Sequence, residues 1–126
     1  MMKKAVCGIL PMFDGFFLSV SRKDDPNKIG FIGGKVDENE SDVDALIREC
    51  LEETGLVISV NTDYPPFTKI DGNYQVTSYL ITLCDEEHYM TDSNETGIVR
   101  IASRLQLIKS SPYADYNDQA FKHFNL

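Results

Sequence analysis

The chain has 126 residues, of which 42% are hydrophobic and 25% are charged, and its formal net charge is −8. That length fits one domain with a buried core, and the composition excludes a disordered chain as the default. The surplus of acid argues against a nucleic-acid polymer or an anionic membrane as partner, because both attract clustered Lys and Arg. A chain of this charge that handles phosphates needs another source of positive charge, such as a metal ion.

The cysteine pattern and the first residues indicate the compartment. The chain has three cysteines, Cys7, Cys50 and Cys84, and no CxxC pair. An odd number without such a pair favours small buried thiols over disulfides or a zinc site. The short apolar run that ends at Pro11 has no small-residue cleavage site after it, so we interpret it as a strand rather than a signal peptide. No apolar stretch approaches the roughly 18 residues of a membrane span. We therefore expect a cytoplasmic protein.

β-rich runs and turn signals alternate along the chain. The runs that predict strands are 3–10, 16–21, 29–32, 56–60, 67–70, 74–84 and 98–102. Asp14-Gly15 predicts a hairpin turn between the first two runs, and residues 85–87 predict a small acidic turn. Helical patterns cover 41–54, 103–109 and 113–124, and Gly55 is the predicted C-cap of the first. With neither an internal repeat nor a long linker, residues 1–126 are predicted to form one domain of mixed α and β structure.

The predicted helix over 41–54 has two unlike faces. With Leu46 at 0° and about 100° per residue, an apolar arc between about 0° and 140° should face a sheet. Its members are Val43, Leu46, Ile47, Cys50, Leu51 and Thr54. Glu52, Glu49 and Glu53 fall at about 240°, 300° and 340°, so the three carboxylates share one face away from the main apolar arc.

Two interpretations of the glutamate face remain open. It is a solvated acidic surface, or it is a site for a hard cation, since Mg²⁺ and Mn²⁺ prefer a few carboxylates together with substrate phosphates. Like charges at this spacing destabilise a helix, and the helix dipole disfavours anions near its C-terminal end, so helix stability does not account for them. Gly33-Gly34 upstream permits close backbone approach and exposes a carbonyl, and Lys35 after it suits a phosphate.

One spacing pattern joins these features. Five residues separate Gly34 from Glu40, and seven more separate Glu40 from the run Arg48-Glu49-Cys50-Leu51-Glu52-Glu53-Thr54-Gly55-Leu56. This pattern resembles the Nudix box, which is G, five residues, E, seven residues and then R-E-U-x-E-E-x-G-U, where U is a bulky aliphatic. Cys50 at a U position is the one soft departure.

The resemblance implies the Nudix fold, a mixed β-sheet sandwiched between helices, and a hydrolase of nucleoside diphosphates linked to another group. It implies that Glu49, Glu52 and Glu53 bind Mg²⁺ or Mn²⁺, with the Gly33 carbonyl as a further ligand. Glu95, in a segment similar to the late acidic loop of the family, is a candidate metal ligand or general base. Which carboxylate takes the proton of the attacking water stays open.

Other residues of the motif have supporting roles by the same resemblance. Arg48 is implied to orient the catalytic glutamates by ion pairing, and Glu40 to steady the loop. Gly34 and Gly55 are structural positions of the motif. Residues 28–35 are similar to the strand and loop that lead into the box, but they lack the Trp and the Pro that many relatives carry there.

The group beyond the diphosphate must be recognised by residues outside the motif. Lys35 and Arg22 are candidates for contact with phosphates. Aromatic residues suit a nucleobase by stacking, although strand aromatics more often pack in a core, and the candidates are Phe31, Phe67, Tyr74 and Tyr79. Tyr74 lies 18 residues after the motif, where a Tyr in the family is associated with dinucleoside polyphosphates. The expected substrate is a nucleoside triphosphate, an oxidised nucleotide or a dinucleoside polyphosphate.

Two other functions compete with a pyrophosphohydrolase. One is a nucleotide-binding or sensing module without turnover, against which the intact set of glutamates argues. The other is an enzyme of the same fold with a different reaction, such as an isomerase. The short chain leaves little room for the added domain that such an enzyme would carry. The expected assembly is a monomer or a homodimer.

Overall fold

The computed structural model describes residues 2–84, 93–94, 97–110 and 112–126. The strands in these residues are β1 (Lys3–Ile9), β2 (Pro11–Phe13), β3 (Phe16–Ser21), β4 (Ile29–Gly30), β5 (Ile32–Lys35), β6 (Ile58–Val60), β7 (Phe67–Asp71), β8 (Tyr74–Leu83), β9 (Ser93–Asn94) and β10 (Gly97–Ser103). The helices are α1 (Asp42–Thr54), α2 (Arg104–Ile108) and α3 (Ala114–His123). The acidic turn predicted at 85–87 lies outside the described residues. None of the described helices is both long and apolar enough to cross a membrane.

The strands form two five-stranded sheets. The first has the order β5-β1-β8-β6, and β7 also pairs with β8. In this sheet β1 and β8 run parallel, from Lys3 opposite Tyr74 to Ile9 opposite Leu80, and the other pairs are antiparallel. The second has the order β2-β3-β10-β9, with β4 paired to β3, and is antiparallel throughout. The β structure is therefore mixed, as the resemblance implied.

Helices cover both faces of the first sheet. Leu46 of α1 packs into one core together with Ile81 of β8. The adjacent Leu80 belongs to a second core, with Leu107 of α2 and Phe121 of α3. Because successive strand residues point to opposite faces, the two cores lie on opposite sides of the sheet. The predicted sandwich of helices around a mixed sheet is confirmed.

The local sequence determines both ends of α1. Ser41 is the N-cap, and its Oγ accepts a hydrogen bond from the backbone N–H of Asp44 at 3.1 Å. Such a cap is worth about 1 kcal/mol. Gly55 follows the helix with φ 75°, a left-handed conformation that glycine adopts without strain, and its N–H donates to the Leu51 carbonyl. The helix predicted over 41–54 and its C-cap are therefore confirmed.

The buried face of α1 differs from the prediction. Leu51, placed on the sheet side by helical periodicity, is 50% exposed, whereas Glu53 is only 5% exposed. The helix lies against β5 and β1, where Gly34 has no side chain to keep it away. Its buried arc is therefore rotated toward the glutamates, and the prediction that all three carboxylates point away from the core was wrong for Glu53.

The hairpin at Asp14-Gly15 joins different strands from those predicted. The partner of β3 across this turn is the short β2, which begins at Pro11, whereas β1 pairs with β5 and β8 in the other sheet. Proline cannot donate to a strand ladder, and the chain passes from the first sheet to the second between β1 and β2. The single run predicted over 29–32 is likewise divided between β4 in the second sheet and β5 in the first.

Candidate active site

Two adjacent glycines on β5 let α1 approach the sheet closely. Gly33 lies opposite Cys7 of β1, and Gly34 lies opposite Val6. A Cβ on Gly34 would overlap the carboxylate of Glu49, and a Cβ on Gly33 would overlap the backbone of β1. Only glycine leaves room at Gly34 for an acid of α1 to lie directly on the strand backbone.

Glu53 connects the end of α1 to this strand. Its Oε1 accepts a hydrogen bond from the backbone N–H of Gly33 at 3.0 Å. In an antiparallel pair, the N–H and the C=O of one residue point to the same side of the strand. Because the Gly33 N–H points away from β1, its carbonyl does so as well. The structure therefore brings together the two predicted metal ligands Glu53 and Gly33.

Arg48 is the centre of the charged network on α1. Its Nη1 donates to Glu49 at 3.1 Å and to Glu52 at 3.3 Å. Its Nη2 donates to the carbonyl of Lys35 at 3.1 Å and lies 3.4 Å from a carboxylate oxygen of Asp37. The predicted orienting role of Arg48 thus has a geometric basis, since one guanidinium contacts two of the three glutamates of the motif.

Glu40 and Arg48 form the best-aligned ion pair of this network. The Glu40 carboxylate accepts hydrogen bonds from Nε of Arg48 at 2.8 Å and from Nη2 at 3.0 Å, so the pair is bidentate. Glu40 also accepts the backbone N–H of Asp37 at 3.0 Å, which closes the loop between β5 and α1. The hydrogen bond from Arg48 is the main cause that lowers the pKa of Glu40. These contacts agree with the predicted structural role of Glu40.

The three glutamates of the motif lie in different environments. Burial raises the pKa of Glu49, and the neighbouring Arg48 opposes that shift only in part. The side chain of Glu49 is 16% exposed, whereas that of Glu52 is 59% exposed. A buried carboxylate with a raised pKa is costly to keep charged unless a cation lies beside it.

The donors present fit a hard divalent cation. Three carboxylates and one strand carbonyl are all oxygen ligands, the set that Mg²⁺ and Mn²⁺ prefer. Glu49 is held by Arg48, and Glu53 is held by the Gly33 N–H. Within the described residues, no three Asp, Glu, His or Cys side chains lie close enough together to hold a metal ion as they stand. Glu95, the fourth predicted acid, lies outside the described residues.

A cavity of about 1,010 Å³ extends from these glycines across the face of the first sheet. Gly33, Gly34 and Glu53 line one side of it, here called the glutamate side. Phe31, Tyr113 and Tyr116 line another, here called the aromatic side. The cavity therefore joins the end of α1, through Glu53, to a surface lined by aromatic rings.

All three predicted substrate-binding residues line this cavity, namely Arg22, Lys35 and Tyr74. The ring of Tyr74 lies between two ammonium groups, with Nζ of Lys3 at 5.9 Å and Nζ of Lys35 at 6.0 Å from its centroid. Arg22 pairs with Asp24 at 3.0 Å at the rim. The cations of the lining, Arg22, Lys23 and Lys35, are matched by the three acids Asp24, Glu53 and Asp71.

The other aromatic candidates separate into cavity and core residues. Phe31 lines the cavity. Tyr79 packs against the core beneath α1, and Phe67 packs on the ring of Tyr116 at 5.6 Å. Sequence reasoning missed Tyr113 and Tyr116 as cavity residues. The aromatic spacing of the C-terminal helix was visible in the sequence, but nothing in it indicated which cavity that helix would border.

The comparisons with known proteins agree with this arrangement. The family model described as the NUDIX domain matches residues 1–124. The solved structure of a Nudix hydrolase family member from Chromobacterium violaceum is 23% identical, with a TM-score of 0.74, covering 99% of this chain and 78% of that one. No curated protein matches.

Two further solved structures carry more specific names. An ADP-ribose pyrophosphatase from Streptococcus suis is 16% identical, with a TM-score of 0.73, covering 100% of this chain and 94% of that one. An Ap4A hydrolase from C. elegans is 18% identical, with a TM-score of 0.74, covering 98% of this chain and 96% of that one. At these identities the likeness establishes the fold and leaves the substrate open.

Proposed function

The chain belongs to the Nudix family and is a hydrolase that acts on pyrophosphate bonds, and we propose that it cleaves a diphosphate linkage in a small nucleotide with the help of Mg²⁺ or Mn²⁺. The observation that carries the proposal is the position of Glu53 and Gly33, which face one cavity beside the other acids of α1. A diphosphate and these acids repel each other unless cations lie between them.

The cation would be held by Glu49, Glu52, Glu53 and the Gly33 carbonyl. When bound, it supplies positive charge to the phosphate oxygens and makes a water molecule a better nucleophile near neutral pH. Arg48 fixes the directions of Glu49 and Glu52 through its Nη1 contacts. The Gly33 N–H fixes Glu53 in the same way.

A carboxylate of this group takes the proton of the attacking water. Glu52 reaches solvent most freely of the three glutamates on α1, since 59% of its side chain is exposed. Burial raises the pKa of Glu49, and a carboxylate of higher pKa is a stronger base. Glu95 is the third candidate. All three are kept as candidates for the general base in this proposal.

The substrate is proposed to be a nucleoside triphosphate, an oxidised nucleotide or a dinucleoside polyphosphate. The aromatic side of the cavity suits stacking with a base, while Lys35 and Arg22 suit phosphates at its rim. Solved relatives of the same fold named as ADP-ribose pyrophosphatase and Ap4A hydrolase support a diphosphate linked to a nucleoside.

The experiment is a nucleotide panel assayed for released phosphate, pyrophosphate and nucleotide products. It covers nucleoside triphosphates, oxidised nucleotides, ADP-ribose and dinucleoside polyphosphates, each with Mg²⁺, with Mn²⁺ and with excess chelator. We expect turnover of at least one class with either metal and none with chelator. Full activity in chelator would exclude the metal mechanism, and binding without turnover across the panel would favour the sensing module.

A further inference from the structure

A second cavity, of about 500 Å³, lies where β1 and β8 begin and β5 ends. Lys35 and Tyr74 line both this cavity and the larger one, so the two cavities are neighbours. Lys3, the first residue of β1, lines the second cavity. The proposed reaction assigns no role to Lys3.

The ammonium groups of Lys3 and Lys35 converge on one aromatic ring. Lys3 is directly opposite Tyr74 in the parallel pair of β1 and β8. Its Nζ lies 5.9 Å from the centroid of the Tyr74 ring, and Nζ of Lys35 lies 6.0 Å from the same centroid. The ring attracts each cation by only about 0.5–1 kcal/mol at an exposed site, and the two cations repel each other. The arrangement therefore favours an anion that both ammonium groups can contact.

Other charged groups around the second cavity already have partners. Lys4, whose side chain is on the other face of β1, pairs with Asp42 of α1 at 3.8 Å. Asp37 and Glu40, which line the cavity, both pair with Arg48. These charges are thus balanced within the protein itself.

Lys3 and Lys35 differ from them in this respect. Within the described part of the chain, neither ammonium group forms an ion pair or a hydrogen bond with a side chain. Two acids lie in the neighbourhood and pair with neither lysine. Glu38 lines the second cavity, and Asp71 lies opposite Tyr74 on β7, on the side of β8 away from Lys3. Both lysines are therefore available to an anion that enters the cavity.

The two lysines follow the glutamate side along the first sheet. Gly33 and Lys35 lie on the same face of β5, and residues two apart on a strand are separated by about 7 Å. Ala5 of β1 is opposite Lys35, and β1 runs antiparallel to β5, so Lys3 lies farther along in the same direction. A row of phosphates that starts at the Gly33 carbonyl thus passes Lys35 before it reaches Lys3.

We propose that Lys3 and Lys35 form an anion subsite for a phosphate beyond the cleaved diphosphate, so that the enzyme prefers substrates with a chain of three or more phosphates. This inference rests on the proposed function, which places the cleaved diphosphate at the glutamate side. Each ammonium group contacts phosphate oxygens as a point charge. Nucleoside triphosphates and dinucleoside polyphosphates are then better substrates than ADP-ribose, which has only two phosphates.

The first test measures KM for a nucleoside triphosphate, diadenosine tetraphosphate and ADP-ribose. With the two longer chains, Lys3→Gln is expected to raise KM roughly 3- to 10-fold and to change kcat less than about twofold, and Lys3→Glu is expected to raise KM further. The KM for ADP-ribose is expected to change less than about twofold, because its diphosphate does not extend to Lys3.

Two matched variants separate the subsite from a general loss of charge or of structure. Lys109→Gln removes the same charge from an exposed position at the end of α2, outside the linings of both cavities, and is expected to keep the wild-type KM for every substrate. Lys3→Arg keeps the charge and is expected to keep KM within about threefold of wild type. Lys3 is an exposed residue at the start of β1, so all of its variants are expected to keep the wild-type Tm.

The second test measures binding of two probes that have no nucleoside. Titration calorimetry with Mg²⁺ compares inorganic tripolyphosphate with inorganic pyrophosphate on wild type and on Lys3→Gln. The variant is expected to bind tripolyphosphate roughly 3- to 10-fold more weakly and to bind pyrophosphate as wild type does. Unchanged binding of tripolyphosphate, or an equal loss with both probes, would overturn the proposal.

The two tests distinguish failure of the subsite from failure of the proposed function. If the protein hydrolyses no nucleotide but binds tripolyphosphate through Lys3, the anion subsite is supported and the proposed function is contradicted. If it hydrolyses nucleotides and Lys3→Gln leaves KM unchanged for every substrate, the anion subsite alone is contradicted.

Discussion

The glutamate side and the aromatic side of the cavity are built in opposite ways. The glutamate side consists of charged groups held by a dense network, in which Arg48 alone contacts four carboxylates. The aromatic side consists of rings and a hydrogen-bonded cluster, Cys7, Ser78 and Tyr116, whose members come from β1, β8 and α3. A fixed array of charges suits a reaction common to many substrates, whereas a neutral surface suits discrimination between bases. We therefore expect the glutamate side to affect cleavage of the bond and the aromatic side to affect the choice of substrate.

The largest effect is expected from Glu53→Gln on the glutamate side. The amide oxygen can still accept the Gly33 N–H, so the fold is retained, but the negative charge for a cation is lost. We expect kcat to fall roughly 100-fold or more in the nucleotide assay. Asp44→Asn, an exposed carboxylate on the first turn of the same helix, serves as the matched control and keeps wild-type activity. A Glu53→Gln enzyme of normal kcat would remove Glu53 from the metal site.

The paired glycines offer a second, graded test. In Gly34→Ala the new methyl displaces the Glu49 carboxylate, which is the end of a flexible side chain, so activity is expected to fall roughly 10- to 100-fold with little change in Tm. In Gly33→Ala the methyl meets the backbone of β1, which cannot move as easily, so Tm is expected to fall by several degrees. Calorimetry and the nucleotide assay on both variants check the contrast. Equal effects of both variants on Tm would contradict it.

Arg48→Lys tests whether geometry or charge orients the glutamates. Lysine keeps the positive charge but loses the planar fork that contacts Glu40, Glu49 and Glu52 at once. We expect kcat to fall roughly 10-fold and the metal concentration for half-maximal activity to rise. Arg100→Lys, on an exposed position of β10, is the control. If lysine supports full activity, charge alone is sufficient.

The smallest effect is a pH dependence of stability that belongs to Glu40. Its pKa in the folded protein is lowered below the ordinary 4.5 by Arg48, so its stabilising contribution is present above that value and is lost as the pH falls further. The Tm difference between wild type and Glu40→Gln is therefore expected to be a few degrees at pH 7, which is the effect expected from losing a surface ion-pair network. This difference is expected to shrink below about pH 4.5. Glu38→Gln, an exposed acid of the same loop, changes Tm less at every pH.

The aromatic side is expected to respond in a different kinetic parameter. Variants on the glutamate side are expected to lower kcat, whereas Phe31→Leu, which removes a ring from the aromatic side, is expected to raise KM for nucleotides. Combining Phe31→Leu with Arg48→Lys tests the separation directly. Because the two residues share no contact, their effects on kcat/KM are expected to multiply. If the kcat/KM effect of the double variant differs from the multiplied single effects by more than about threefold, the two sides are coupled.

Much of the glutamate side could be derived from the sequence because it is local. Ser41 and Gly55 cap α1 through contacts within the same turn, and helical periodicity alone places three glutamates together. The bidentate pair of Glu40 and Arg48 also joins residues only eight positions apart. Interactions of this range depend on backbone geometry that the residue types themselves specify.

The exceptions on this side depend on packing. Periodicity assigned Leu51 to the core and Glu53 to the surface, and the structure reverses both. The rotation of α1 depends on how closely a strand allows it to approach. That approach depends on Gly34 of β5, a separate element, and a helical wheel contains no information about it.

The sequence by itself determined the family, the helix that carries the glutamates, most strands and the class of reaction. Only the tertiary structure decided that Pro11 transfers the chain to a second sheet, and that Cys7, Ser78 and Tyr116 meet although 71 and 38 positions separate them. The reason is physical. Helix periods, caps and motif spacings act over a few residues, whereas strand register and the docking of a terminal helix result from the packing of the whole core.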